Sequence, residues 1–169
     1  MFCVLLALCA IEAQAYGGNA FAQTRYAYLK LNGVAVWQAS WLGEYPLNRG
    51  VNMMIVDPSS CTLQEWRRFD TSVEPSSGNR LLVYLEELSE GTVLVGISCD
   101  DTSTYLSSAL PTLNAMGADV SDVGFRGAFV FAMEKGDPSK TVFDKQPTEE
   151  AAYARHTRIS VTFGRCDLL

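Results

Sequence analysis

Three short apolar runs constrain this chain more than any other feature: Val51-Asn52-Met53-Met54-Ile55-Val56, Thr92-Val93-Leu94-Val95-Gly96-Ile97 and Phe129-Val130-Phe131-Ala132-Met133. They are nearly continuous rather than alternating, and β-branched residues are frequent in them, so each reads as a buried strand. Asp57-Pro58-Ser59-Ser60 closes the first run as a turn, and Thr62 to Phe69 is its natural hairpin mate. A second hairpin is announced by Leu29-Lys30-Leu31, Asn32-Gly33 and Val34-Ala35-Val36, because Asn-Gly supplies the two positive φ angles of a type I′ turn.

Between the runs the apolar period changes. After Pro75-Ser76-Ser77-Gly78, Leu81, Leu85 and Leu88 recur at helical spacing and predict an amphipathic helix to about Ser89. Tyr105, Leu106, Ala109, Leu110, Leu113 and Met116 predict a second helix ended by Gly117, kinked or split at Pro111. Gly136 to Lys140 reads as a turn, Thr148 to Tyr153 as helical, and Ile159 to Phe163 as a last edge strand. No repeat, low-complexity tract or linker interrupts the chain. The fold class is α+β, with α/β-like character, in one domain.

At 169 residues such a domain buries about 70% of its unfolded surface. With 13 Lys+Arg against 19 Asp+Glu, a net charge of −6 and no basic cluster, it is a poor partner for nucleic acid or anionic lipid. The single histidine, His156, has no Cys-x-x-Cys, His-Glu-x-x-His or Gly-x-Ser-x-Gly motif beside it, and no glycine loop suits a phosphate. No metal, no cofactor and no enzymatic activity are expected. Paired carboxylates cleaving a glycoside would have to come from Asp57, Asp70, Asp100 and Asp101.

Residues 1–15 carry an apolar core from Phe2 to Ile11 and the small-x-small pattern Ala13-Gln14-Ala15, which predicts a signal peptide and a mature domain over 16–169. No later segment reaches the roughly 20 apolar residues of a membrane span. The expected protein is secreted. Cleavage removes Cys3, Cys9 and Glu12, taking the charge from −6 to −5 and leaving Cys61, Cys99 and Cys166 as disulfide candidates. Any one bridge among these three leaves a thiol over, and sequence does not choose among the pairings.

Two loops concentrate functional chemistry. Asp100-Asp101 follows a buried strand in a segment rich in capping residues, and Arg126 stands between Gly124-Phe125 and Gly127 just before another strand. Helix capping and a surface ion pair are the plain readings of these loci. Trp41 and Tyr45 are the better candidates for stacking on a sugar, whereas Trp37 and Trp66 read as half core.

These loci belong to an ordered string of motifs: Arg49-Gly50-Val51-Asn52-Met53-Met54-Ile55-Val56-Asp57, Arg68-Phe69-Asp70-Thr71, Glu90-Gly91-Thr92-Val93-Leu94-Val95-Gly96, Asp100-Asp101-Thr102-Ser103, Leu113-Asn114-Ala115-Met116-Gly117-Ala118 and Gly124-Phe125-Arg126-Gly127-Ala128-Phe129-Val130-Phe131. The string resembles the ILEI/PANDER (interleukin-like EMT inducer, GG domain) superfamily over about residues 26–145. That resemblance implies a compact β-β-α sandwich, two sheets flanked by short helices. Some members look like secreted signalling proteins. Others are modules of cell-surface hyaluronan-degrading proteins or the lectin-like stem of a protein-O-mannose N-acetylglucosaminyltransferase. Carried over from that stem, the sugar-binding positions fall on Asp100, with Asp101 adjacent, and on Arg126; Tyr105 or Trp41 would form the wall. The implied function is a secreted, non-catalytic carbohydrate-binding domain whose partner is a glycan or cell-surface glycoprotein. The alternative is a cytokine-like ligand of a protein receptor, with a disulfide-linked dimer through a leftover thiol. The family's cysteine pattern is not reproduced by Cys61, Cys99 and Cys166. Gly127 stands where relatives often carry an acid, which predicts an arginine without its usual tether.

Overall fold

The computed structural model describes residues 17–23, 26–40, 48–154 and 157–162. Residues 1–15, expected to be a signal peptide, lie outside them, as do Trp41, Tyr45, His156 and Cys166. Nine strands and three helices are described: β1 (Gly17–Gln23), β2 (Tyr26–Leu31), β3 (Val34–Ser40), β4 (Gly50–Asp57), β5 (Thr62–Phe69), α1 (Ser77–Glu87), β6 (Val93–Cys99), α2 (Leu110–Ala115), β7 (Ala128–Glu134), β8 (Asp137–Gln146), α3 (Glu149–Ala154) and β9 (Thr157–Thr162). The strands form two antiparallel sheets, in the orders β3-β2-β1-β9 and β5-β4-β6-β7-β8. The chain is therefore a β-rich α+β domain.

The period of two along the central strands explains why the apolar runs do not alternate. On β4, β6 and β7, residues Met54, Val56, Val95, Ile97, Ala128, Val130 and Ala132 share one buried cluster with Ala20, Ala22, Ala27, Leu29 and Trp37 of the other sheet. Their neighbours Val51, Met53, Leu94, Phe129, Phe131 and Met133 join a second cluster with Leu81 and Leu85 of α1 and Leu113 of α2. A strand covered on both faces has no side free for polar residues. Size is sorted as well: β7 turns Ala128, Val130 and Ala132 toward the alanines of β1 and β2, and its two phenylalanines, 6.1 Å apart and nearly parallel, toward the helices.

The Asn32-Gly33 hairpin forms with both φ angles positive, and the 62–69 segment pairs with β4 as expected. Two expectations are corrected. Pro111 lies in the first turn of α2 and starts the helix instead of kinking it, while the preceding residues form turns, because a proline ring fits where no backbone N–H is needed. The turn near residue 136 is tighter than expected, at Lys135-Gly136, and Asp137 to Lys140 already belong to β8. Pro138 is tolerated there because β8 is an edge strand. Trp37 is buried, and Trp66 is 44% exposed, half core as expected, with its ring 6.4 Å from that of Trp37 and its N–H donating to Asn52 Oδ1 at 3.2 Å.

Gly96 is required by this packing. A Cβ at this position would lie 2.1 Å from the fully buried Phe131 ring, which has no room to retreat. Gly96→Ala is expected to destabilise the domain by about 1–3 kcal/mol in a urea melt, the usual penalty for overpacking; an unchanged midpoint would show that the two clusters are loosely packed.

Candidate functional site

Antiparallel pairing brings four strand ends to one edge of the five-stranded sheet. Gly50 at the start of β4 faces Cys99 at the end of β6, Val51 faces Phe69 at the end of β5, and β7 begins at Ala128 beside them. The residues just beyond these ends are Arg49, Asp70, Asp100 and Arg126, so the topology alone gathers them.

Asp101 is the knot of this edge. Its Oδ1 accepts from the Ser103 N–H at 3.1 Å, the Ser103 hydroxyl at 2.8 Å and the Arg126 backbone N–H at 3.3 Å. Its Oδ2 accepts from Ser72 at 3.1 Å and Thr104 at 3.2 Å. Burial pushes this carboxyl up, but the bonds from Ser103, Arg126 and Ser72 outweigh it and hold it below the ordinary aspartate value. Asp70 forms a second tie: Arg49 Nε and Nη2 each lie 3.1 Å from one of its carboxylate oxygens, a forked pair.

Asp100 is in the opposite situation. It is buried, its backbone is left-handed at φ 57°, and its Oδ1 faces Arg126 Nε at 3.2 Å as an ion pair without an aligned hydrogen bond. Burial raises its carboxyl above the ordinary value against the opposing pull of Arg126 and Arg49. Arg126 is also left-handed, at φ 53°, and its Nη1 reaches Glu149 Oε1 of α3 at 3.1 Å. The expectation of an untethered arginine is therefore corrected: Asp100 and Glu149 fix it from two sides. Two non-glycine residues in left-handed backbone at one edge store about 1–2 kcal/mol each.

Of the sequence-derived candidates, the structure brings together Asp100, Asp101 and Arg126. Tyr105 is half-buried, and its N–H donates to the Thr71 carbonyl at 2.7 Å, clamping the loop to the β5–α1 connection. Arg49, Phe125 and Glu149 were not singled out as site residues. Arg49 and Phe125 had stood within the quoted motifs, whereas Glu149, 23 residues from Arg126, left no local signal. Cys99 is a buried free thiol, pushed up to about 12 by burial and the adjacent Asp100 charge, so it forms no bridge in this structure. Asp57 binds Ser59 at the far end of β4, roughly 23 Å away at 3.3 Å per residue, too distant to work with Asp100. A groove of about 570 Å³ between β5 and α1 is a separate feature, and its Arg67 and Arg80 are paired with Glu65 and Glu74. Among the described residues there is no metal-binding group of His, Cys, Asp or Glu, and no helix is long and apolar enough to cross a membrane.

A family model described as Interleukin-like EMT inducer matches residues 49–137, which carry most of this edge. The chain belongs to the interleukin-like EMT inducer family. Within the family's matched span lie Arg49, Asp70, Asp100, Asp101 and Arg126; Glu149 lies beyond it. The human cell migration-inducing and hyaluronan-binding protein is 32% identical over 99 residues, 57% of this chain and 7% of that protein. Mouse protein FAM3A is 32% identical and human FAM3A 31% identical over 101 residues, 59% of this chain and 43% of each relative. The chain thus spans less than half the length of the curated relatives it matches.

The two aspartates are expected to separate in stability. Asp101→Asn should cost about 2 kcal/mol at pH 7, since charge-assisted bonds to a buried carboxylate are lost. Asp100→Asn should leave stability unchanged or higher, because it removes a desolvated charge and asparagine tolerates left-handed backbone. Asp101, with its folded value depressed below 3.8, contributes stability present above that value and lost as pH falls through the folded one. Asp100, raised, contributes stability present below 3.8 and lost as pH rises through its folded value. Urea melts of both variants at pH 7 and pH 4 read this out; equal losses at pH 7 would refute the division of roles.

Proposed function

We propose that this protein is a secreted, non-catalytic carbohydrate-binding domain carried on a β-β-α sandwich frame, with Asp100 and Arg126 as its polar pair. The observation that carries this reading is the Asp100–Arg126 ion pair, 3.2 Å apart on two left-handed residues and braced by Glu149. A buried carboxylate kept at a cost in stability is explained by binding better than by folding. A carboxylate accepts hydroxyl protons and a guanidinium donates in a fixed plane, so neighbouring hydroxyls of one sugar can be held together. Asp101 supports the loop and is not itself a ligand contact in this reading. A non-catalytic role is supported by the commitment of Asp70 to Arg49, of Asp101 to its donors and of Glu149 to Arg126, since glycoside cleavage needs a second carboxylate free to act with Asp100 across a cleft. Residues 1–15 would be the signal peptide, and any one bridge among Cys61, Cys99 and Cys166 would leave a thiol over.

The description of the family as interleukin-like favours a second reading, a cytokine-like ligand acting on a protein receptor. A glycan array probed with the purified protein and with Arg126→Ala separates the two. The glycan reading expects a hit that Arg126→Ala weakens about 10–100-fold, with a melting temperature within a few degrees of the parent. A clean blank from well-folded protein would move the function to a protein receptor.

A further inference from the structure

We propose that Phe125 is the aromatic platform of this site, and that the ligand is a neutral pyranose presenting an apolar C–H face. The inference rests on the carbohydrate reading above and names the class of sugar it would take. Gly124 to Gly127 form a tight turn, with the Gly127 N–H donating to the Gly124 carbonyl at 3.0 Å. Within it only the third residue, Arg126, has positive φ, the type II pattern that ordinarily places glycine there. The turn is seated on the end of β8: the Gly124 N–H donates to the Pro147 carbonyl at 2.9 Å, and a Cβ on Gly127 would lie 2.8 Å from the carbonyls of Gln146 and Pro147. Phe125 is thereby held at the outer corner with 62% of its surface exposed.

One ring face is already engaged, since the Arg126 guanidinium carbon lies 5.0 Å from the ring centroid. Asp100 and Glu149 fix that guanidinium in turn, so the ring rests on a braced support. A flat apolar surface held beside a forked donor and a carboxylate matches the two sides of a pyranose. Axial C–H groups lie on the open ring face while equatorial hydroxyls extend past its rim toward the ionic pair. Charge narrows the class. Asp100 and Glu149 pair with Arg126, Asp101 lies beside them, and Arg49 is already taken up by Asp70, so a uronate or sulfated sugar would add negative charge to a partly desolvated edge that is acidic already. A neutral ring adds none.

The test uses the full chain, with methyl β-glucopyranoside and the corresponding methyl glucuronide as probes that differ in charge at one carbon. Binding is followed by ligand-observed NMR with Phe125→Ala and Phe125→Trp beside the parent. The expected result is binding of the glucoside in preference to the glucuronide, with upfield shifts of its axial protons. Phe125→Ala should weaken it about tenfold and abolish those shifts, and Phe125→Trp should retain both. Equal binding by the parent and Phe125→Ala would overturn the platform while leaving the carbohydrate reading intact. Preference for the glucuronide would overturn the neutral class. No sugar bound by a parent that melts cooperatively would overturn the carbohydrate reading, and this inference with it.

Discussion

The edge of the five-stranded sheet depends on one carboxylate. Asp101 collects donors from three separate segments: Ser72 in the β5–α1 connection, Ser103 and Thr104 in its own loop, and the backbone of Arg126 in the turn before β7. None of these segments has a ladder of its own to hold it. A buried charge with five donors is a stable way to fasten loops, since each bond is charge-assisted and the desolvation is offset by full satisfaction of both oxygens. Arg49 and Asp70 repeat the device on the neighbouring pair of strand ends with a forked ion pair. The turn that carries Phe125 and Arg126 is positioned by these ties.

Against that background Asp100 stands out by contrast. It is adjacent in sequence, similarly buried, and set in a backbone region that costs energy, yet it has no comparable set of donors. Its charge is balanced from a distance by Arg49 and at close range by Arg126, and burial still dominates. Natural folds keep such features where activity requires a preorganised group and the surrounding structure over-determines its position. Asp101 and Asp100 are thus a builder and a binder side by side, and a variant that harms one function need not touch the other.

What was legible from sequence follows from where the information lies. The runs at β4, β6 and β7 were readable because strands covered on both faces have no alternative to apolar residues. The Asn32-Gly33 hairpin was readable because its turn chemistry is local. The exposed edge strand β8 was not, since most of its residues meet water and Pro138 mimics a turn. Pro111 misled for a related reason: the apolar period before it continues through turns that bury Leu106 and Ala109 without forming a helix. Asp100 and Arg126 drew notice as polar groups beside strands, but their pairing is a product of topology, and the Glu149 brace depends on where α3 docks. Phe125 was passed over because a lone exposed aromatic carries no signal until its support is seen.

The division of labour between the adjacent aspartates is the claim on which the rest turns, and it is directly measurable. A pH titration of the aspartate side-chain carboxyl carbons by NMR, assigned with the Asp100→Asn and Asp101→Asn variants, reports each group in the folded protein. The account expects Asp101 to titrate below the ordinary aspartate value of 3.8 and Asp100 above it. The reverse order, or two ordinary values, would contradict it.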